Sequence, residues 1–254
     1  MYNFRDVTLL ITHYNRSTSL ERLLKTFKEY NCTFDDIVVS DDGSKPEHLQ
    51  ALQALKVTYN FRLITTPKNK GLGHNINKGQ EAVTTPYTLY VQEDFIPTSL
   101  FPDKFVKALA IMNRESKWDI IRFYAYGSYP YLQTYDEDYS EMVIKPWYME
   151  TGKIYVYSDH PHLRRNNFLN KFGRYPEGLI GDKTEYRMCI AFIQKKGKGL
   201  FYRNYKELFI QKNSAEEPTT MTRADWKRSK NPVISIVRQV YRQVKYNYDI
   251  HFLK

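Results

Sequence analysis

Residues 90–97 read YVQEDFIP, and the run YTLYV that leads into them is apolar until it meets Gln92, Glu93 and Asp94. Two neighbouring carboxylates repel each other, and neither gains by leaving water. A bound cation would explain why a buried strand ends on them. Two further polar clusters follow apolar runs in the same way: HYNRS (13–17) after VTLLIT, and DDGS (41–44) after DIVVS. Ordinary turn chemistry accounts for any one of these clusters alone, since Asn, Asp, Gly and Ser populate turns. Three clusters at equivalent places ask for a common cause. His160 and His162 flank Pro161 in SDHPHLRR, beside Arg164 and Arg165. Alternate residues of an extended chain share a face, which suits a metal pair or contacts to phosphate or acceptor. No Cys/His cluster, G-x-S-x-G or Walker loop is present, so structural zinc, serine-hydrolase and P-loop readings have no support.

The elements that must position these clusters alternate in type. VTLLIT (7–12), DIVVS (36–40), FRLITT (61–66) and YTLYVQ (87–92) read as strands, and the continuous apolar runs among them suit burial on both faces. Between them, residues 18–30 place Leu20, Leu23, Leu24 and Phe27 on one helical face, with Thr18 and Glu21 spaced as a capping box. Residues 46–55 predict a helix opened by Pro46, and 69–83 a glycine-bearing loop that runs into a helix. A further helix is expected after Pro97. Repeated βα units imply a mostly parallel sheet with helices on both faces, and ligands then bind beyond the C-terminal ends of the strands, where the three polar clusters sit.

The second half is less regular. Strands are expected at 118–126 and 152–158, a short helix at 160–173, a longer one at 181–197, and a hairpin from 200–204 and 207–211. Residues 124–150 carry a run of tyrosines suited either to an acceptor loop or to the core. The expected organisation is one domain, 1–215, in two halves, 1–97 and 98–215, and a basic C-terminal extension, 216–254.

The 254 residues are 42% hydrophobic and 26% charged, ordinary values for a globular protein. The net charge is +10, and residues 223–254 hold eight Lys and Arg against two Asp. Such an excess attracts nucleic acid, anionic lipid or phosphorylated substrates, but no nucleic-acid recognition motif accompanies it. Apolar residues at near-helical spacing between 233 and 244, interleaved with Arg238, Arg242 and Lys245, suit a helix lying on an anionic membrane through 227–254, or one docked on the domain with a solvated basic face. Two cysteines without a CxxC and no long apolar run lead to a cytoplasmic reading, peripheral to the inner face of the membrane.

The order strand–THYNR–helix, IVVSDDGS, an NKG…NKG loop, and a strand ending in an acidic triplet before a proline resembles the family 2 glycosyltransferases of the GT-A fold. The resemblance covers 7–97 well and the rest loosely. It implies a nucleotide-diphosphate-sugar donor, commonly a UDP-sugar, with Mn²⁺ or Mg²⁺, and transfer with inversion. The acceptor would be a saccharide or lipid-linked saccharide in cell-surface polysaccharide synthesis. By position, Thr12 and Tyr14 would border the nucleobase. Asp41 would accept from a base N–H, Asp42 would shape that turn, Gly71 and Lys78 would serve the glycine loop and diphosphate, and Asp94 would hold the metal beside Glu93. Gln92 stands where the family has its first acid, and Ile76 where it often has Arg, so another cation must face the diphosphate. The family's general base comes from a second-half helix start. GDKTE (181–185) matches it, and either Asp182 or Glu185, three residues apart, would serve. A sugar-phosphate nucleotidyltransferase would share the βα plan, but HYNRS lacks the glycine-rich loop it needs after its first strand. A non-catalytic sugar-nucleotide or nucleic-acid binder is the reading of a different class.

Overall fold

The computed structural model describes residues 1–145, 147–213, 217 and 232–253. Much of the expected C-terminal extension, 218–231, lies outside the described residues. Four strands, β1 (Tyr2–His13), β2 (Cys32–Asp41), β3 (Arg62–Ile64) and β4 (Tyr87–Gln92), run parallel in the order β3-β2-β1-β4. Crossovers to either side of β1 make its C-terminal end the point where strand order reverses, and so the place for a ligand. Alternation along these strands feeds two cores. Leu9, Ile11, Val39, Leu89 and Val91 point to one face, where α1 (Ser17–Glu29), α2 (Pro46–Tyr59) and α4 (Phe101–Arg114) pack. Leu10, Val38 and Tyr90 point to the other, with α3 (Leu72–Glu81), α5 (Phe168–Phe172), α6 (Gly181–Gln194) and α7 (Pro232–Phe252).

Beyond β4 the sheet continues through β9 (His162–Arg165), β6 (Ile120–Arg122), β10 (Gly199–Tyr202), β8 (Tyr139–Met142) and β7 (Leu132–Thr134), nine strands in all. β9 lies antiparallel to both β4 and β6, joining the two halves of the chain in one sheet across residue 97. Three expectations for the second half need correction. Residues 160–173 are a buried strand followed by the short α5 rather than one helix, because Arg164 finds Gln80 and Tyr175 inside the protein and can enter the sheet. Residues 152–158 form a single 3₁₀ turn (Thr151–Ile154) and loop instead of a strand. Residues 200–204 and 207–211 are no hairpin: β10 joins the main sheet, while β11 (Phe209–Gln211) pairs with β5 (Phe95–Pro97) in a separate two-stranded sheet. Of the tyrosine-rich stretch, Tyr129 and Tyr139 are core and Tyr126 is exposed.

The rim turn after β2 depends on Gly43. Its φ is +70°, and a Cβ there would lie 2.4 Å from the main-chain carbonyl carbon of Lys68. A left-handed conformation costs a non-glycine residue about 1–2 kcal/mol, and the clash adds to it. Gly43→Ala is therefore expected to lower the melting temperature by several degrees in a thermal melt; an unchanged transition would show that the turn relaxes freely.

Candidate active site

The ends of β1, β2 and β4 and the entry to α3 are tied together by polar contacts rather than by apolar packing. His13 is the hub. Its Nδ1 donates to Asp41 Oδ1 at 2.8 Å, and its Nε2 accepts the main-chain N–H of Arg16 at 3.1 Å. Its carbonyl receives the N–H of Asp42 at 3.0 Å and Asn75 Nδ2 at 3.3 Å. Asp41 is wholly buried, and its second oxygen accepts from the N–H groups of Gly43 and Ser44 at 3.1 and 3.0 Å, while the Ser44 hydroxyl donates to the first. Burial opposes its charge, but the hydrogen bonds from His13 and Ser44 outweigh that and hold it below the ordinary aspartate range. With four donors already on two oxygens, a nucleobase N–H can reach Asp41 only if one of them yields.

Asp42 organises the next loop. Its two oxygens accept the N–H groups of Lys70 (3.0 Å) and Gly71 (2.8 Å), and Gly71 starts α3 with φ +91°. Burial pushes Asp42 up despite those bonds. Lys78 Nζ donates to the Asp41 carbonyl at 2.5 Å, and burial lowers its pKa against the pull of Asp42 and Asp41. His74 is engaged with Glu177 at 2.8 Å and Ile76 is core. Thr12 is buried with its hydroxyl 3.0 Å from that of Tyr90, and Tyr14 is half-buried in the turn that follows β1.

At the end of β4, Glu93 and Asp94 are 8% and 5% exposed. Burial first, and the Asp94 charge second, push Glu93 up to about 8, with Arg16 pulling the other way. The Arg16 guanidinium lies 3.2 Å from Asp94 Oδ2 and 3.9 Å from Glu93 Oε1. It is held from behind by Asn213 Oδ1 (2.5 Å) and the Glu217 carbonyl (3.1 Å). The Glu217 carboxylate caps the start of α1 through the N–H groups of Thr18 and Ser19. Gln211 Nε2 donates to Asp94 Oδ2 at 2.9 Å, whereas Asp94 Oδ1 is buried with no hydrogen-bond partner among the described residues. An orphaned carboxylate oxygen at a strand end fits a hard divalent cation. Among the described residues no three His, Cys, Asp or Glu converge on a ready-made metal cage, as suits an ion that takes one or two carboxylates and completes its shell from phosphate and water.

Gln92 turns away from the acids and donates to Asp159 Oδ2 at 3.3 Å. Asp159 also hydrogen-bonds to Glu185. Burial, the charge and hydrogen bond of Glu185, and the charge of Asp94 raise Asp159 well above the usual carboxylate range. Glu185 thus reaches the rim from α6, while Asp182 stands half-buried in the first turn of that helix. His162 is buried between the rings of Tyr90 and Tyr157, and burial keeps its pKa well down. His160 instead joins an aromatic wall, its ring 4.6 Å from that of Tyr126 and 5.4 Å from that of Tyr124. The two histidines therefore sit in different environments, one core and one rim. Sequence reasoning missed Arg16, Asp159, Gln211, Asn213 and Glu217 as site residues. Arg16 lies within HYNRS and Asp159 within SDHPH, both singled out for other members; the other three carried no local signal.

Glycosyl transferase family 2 matches residues 8–196 of the chain. The chain belongs to that family. In fold, this transferase is similar to residues 1–349 of S. aureus TarS in complex with UDP-GlcNAc, with a TM-score of 0.64 and 15% identity over 96% of this chain and 72% of that one. A glucosyl-3-phosphoglycerate synthase from Mycobacterium tuberculosis, solved with Mn²⁺, UDP and glucosyl-3-phosphoglycerate, gives a TM-score of 0.56 at 12% identity over 97% of this chain and 80% of that one. The mannosyltransferase PcManGT from Pyrobaculum calidifontis, solved with GDP-Man and Mn²⁺, gives 0.52 at 15% identity over 79% and 58%. Likeness at these identities is one of fold. No curated protein matches the transferase in sequence.

Because Asp41 is held ionised by its partners, its contribution to stability is present above the ordinary aspartate value of 3.8 and is lost as pH falls through the lower folded value. Asp41→Asn should cost about 1–3 kcal/mol at pH 7, the range for a broken buried network. In urea titrations the gap from the unsubstituted protein should narrow below the ordinary aspartate value. A gap that stays constant to the acid limit would show that the His13–Asp41 pair contributes no charge-dependent stability.

Proposed function

We propose that the transferase moves a sugar from a nucleotide-diphosphate donor, a UDP-sugar, to a saccharide or lipid-linked saccharide with inversion at the anomeric carbon, on the cytoplasmic side of a membrane in cell-surface polysaccharide assembly. The observation that carries this reading is the Asp94 carboxylate, with one oxygen on Arg16 and Gln211 and the other buried without a partner among the described residues. UDP in the TarS and synthase complexes supports uridine as the base, and Mn²⁺ in two of the three structures supports the metal.

In this reading Thr12, Tyr14 and the Asp41–Ser44 turn border the nucleobase. Asp42 holds Gly71 and the glycine loop in place, and Lys78 stabilises the same corner. Arg16 is the cation that faces the diphosphate, the role Ile76 cannot fill. Mn²⁺ or Mg²⁺, when held by Asp94 beside Glu93, supplies Lewis-acid neutralisation of the leaving group. The acceptor hydroxyl attacks the anomeric carbon as the sugar–phosphate bond breaks and its electron pair leaves with the nucleotide diphosphate. The hydroxyl proton passes to the Asp159–Glu185 pair at the rim, where burial and the neighbouring Glu185 charge raise Asp159. Asp182, one turn nearer the start of α6, is the alternative base. Tyr126, with its ring exposed and its hydroxyl on Gln211 at 2.8 Å, offers a flat surface to the acceptor.

A thermal-shift series with UDP-sugars and Mn²⁺ tests the donor site: the melting temperature should rise with ligand, and the rise should vanish with chelator or in Asp94→Asn. Transfer assays then divide the carboxylates. Asp159→Asn and Glu185→Gln should keep donor binding and lose turnover by about 10²–10⁴-fold, the usual worth of a general base. Asp182→Asn should retain most of it. Full turnover in both Asp159→Asn and Glu185→Gln, with loss in Asp182→Asn, would move the base to Asp182.

A further inference from the structure

The helix α7 is docked the wrong way round for a solvated surface helix. Its protein-facing side is mostly polar: Lys153 Nζ donates to Gln243 Oε1 and Asn247 Oδ1, both at 3.1 Å, and Gln194 donates to the Asp249 carbonyl at 3.2 Å. Lys245 pairs with Asp249 and lies 3.2 Å from the Tyr186 hydroxyl. Tyr246 and Ile250 are the apolar side chains buried on this side, with Leu253 packed against the same core. The outward arc carries Val237, Val240, Tyr241, Val244 and Tyr248, between 58% and 66% exposed, at the i, i+3, i+4, i+7, i+11 spacing that places them on one stripe. Phe252 extends it at 67% exposure. From Val237 to Phe252 the stripe runs about 22 Å along the helix, an apolar ridge of the kind that marks an interaction surface.

Charge decides what it meets. On the described helix Arg238, Arg242 and Lys245 stand against Asp249, and the sequence from 223 to 254 totals 8 − 2 = +6. Two copies meeting ridge to ridge would bring this excess against itself, whereas an anionic lipid surface complements it. Aromatic rings on the stripe suit the headgroup boundary, and no described helix is long and apolar enough to cross a membrane. We propose that α7 lies in the surface of an anionic bilayer, ridge inward, and holds the domain against it. This is independent of the donor-site reading, since binding to lipid requires no nucleotide.

Co-sedimentation of the full chain tests it, with neutral phosphatidylcholine vesicles and with vesicles in which roughly a quarter of the lipid is phosphatidylglycerol. The protein should pellet with the anionic vesicles, less so as salt is raised. Val240→Asp with Val244→Asp should weaken binding about tenfold or more, with an unchanged melting temperature because both sites face solvent. Tyr241→Ser with Tyr248→Ser should act in the same direction, covering the case in which aspartates unravel the helix. Equal pelleting of all three proteins, or none by the unsubstituted chain, would overturn the proposal. So would a dimer in analytical ultracentrifugation that the Val240/Val244 variant abolishes, since the ridge would then belong to a second copy.

Discussion

Two carboxyl groups held side by side away from water, at the end of a central strand, set the conditions for everything around them. Left alone, Glu93 and Asp94 would expel each other or drag the strand end into solvent. The protein answers with one proton and one guanidinium: Glu93 is raised until it keeps its hydrogen near neutrality, and Arg16 sits against Asp94. Arg16 can do so because its backbone is fixed by His13 and its head by Asn213 and Glu217, nearly two hundred residues on. The acid pair thus gives Arg16, Asn213 and Glu217 a common task beside the start of α1.

A second carboxyl pair, Asp159 with Glu185, lies across the same rim, and the charge on Asp94 is one of the causes that raise Asp159. The two pairs are joined physically by Gln92, which the family resemblance would have made an acid. An aspartate there would add a third negative charge next to Asp159. An amide instead donates to it. The amide at Gln92 therefore contacts Asp159 without adding a charge beside it.

The first 97 residues were legible because three of the strand cores are apolar on both faces and each turn announces itself. VTLLIT, DIVVS and YTLYV had no competing reading, and their polar endings marked the rim. What stayed hidden was long-range. HLRR reads as the flank of a helix because a charged residue in a doubly buried strand is costly. Only the fold supplies Gln80, Tyr90, Phe168 and Tyr175 around the Arg164 guanidinium. Phe209–Gln211 reads as the return arm of a hairpin because its real partner, Phe95–Pro97, is over a hundred residues earlier. Arg16 and Asp159 looked like turn residues because no sequence window contains both them and what they touch. The polar inner face of α7 was equally out of reach: periodicity gives the stripe but not the side that docks.

The antiparallel β9, seated between β4 and β6, also orders events in time. Until residue 165 has been made, the parallel strands present β4 as an open edge carrying Leu89 and Val91, a template for pairing with another chain. On a ribosome that interval lasts about 4–15 seconds for the seventy-odd residues between them. The first half therefore keeps this edge unpaired until its own later strand arrives to close the gap.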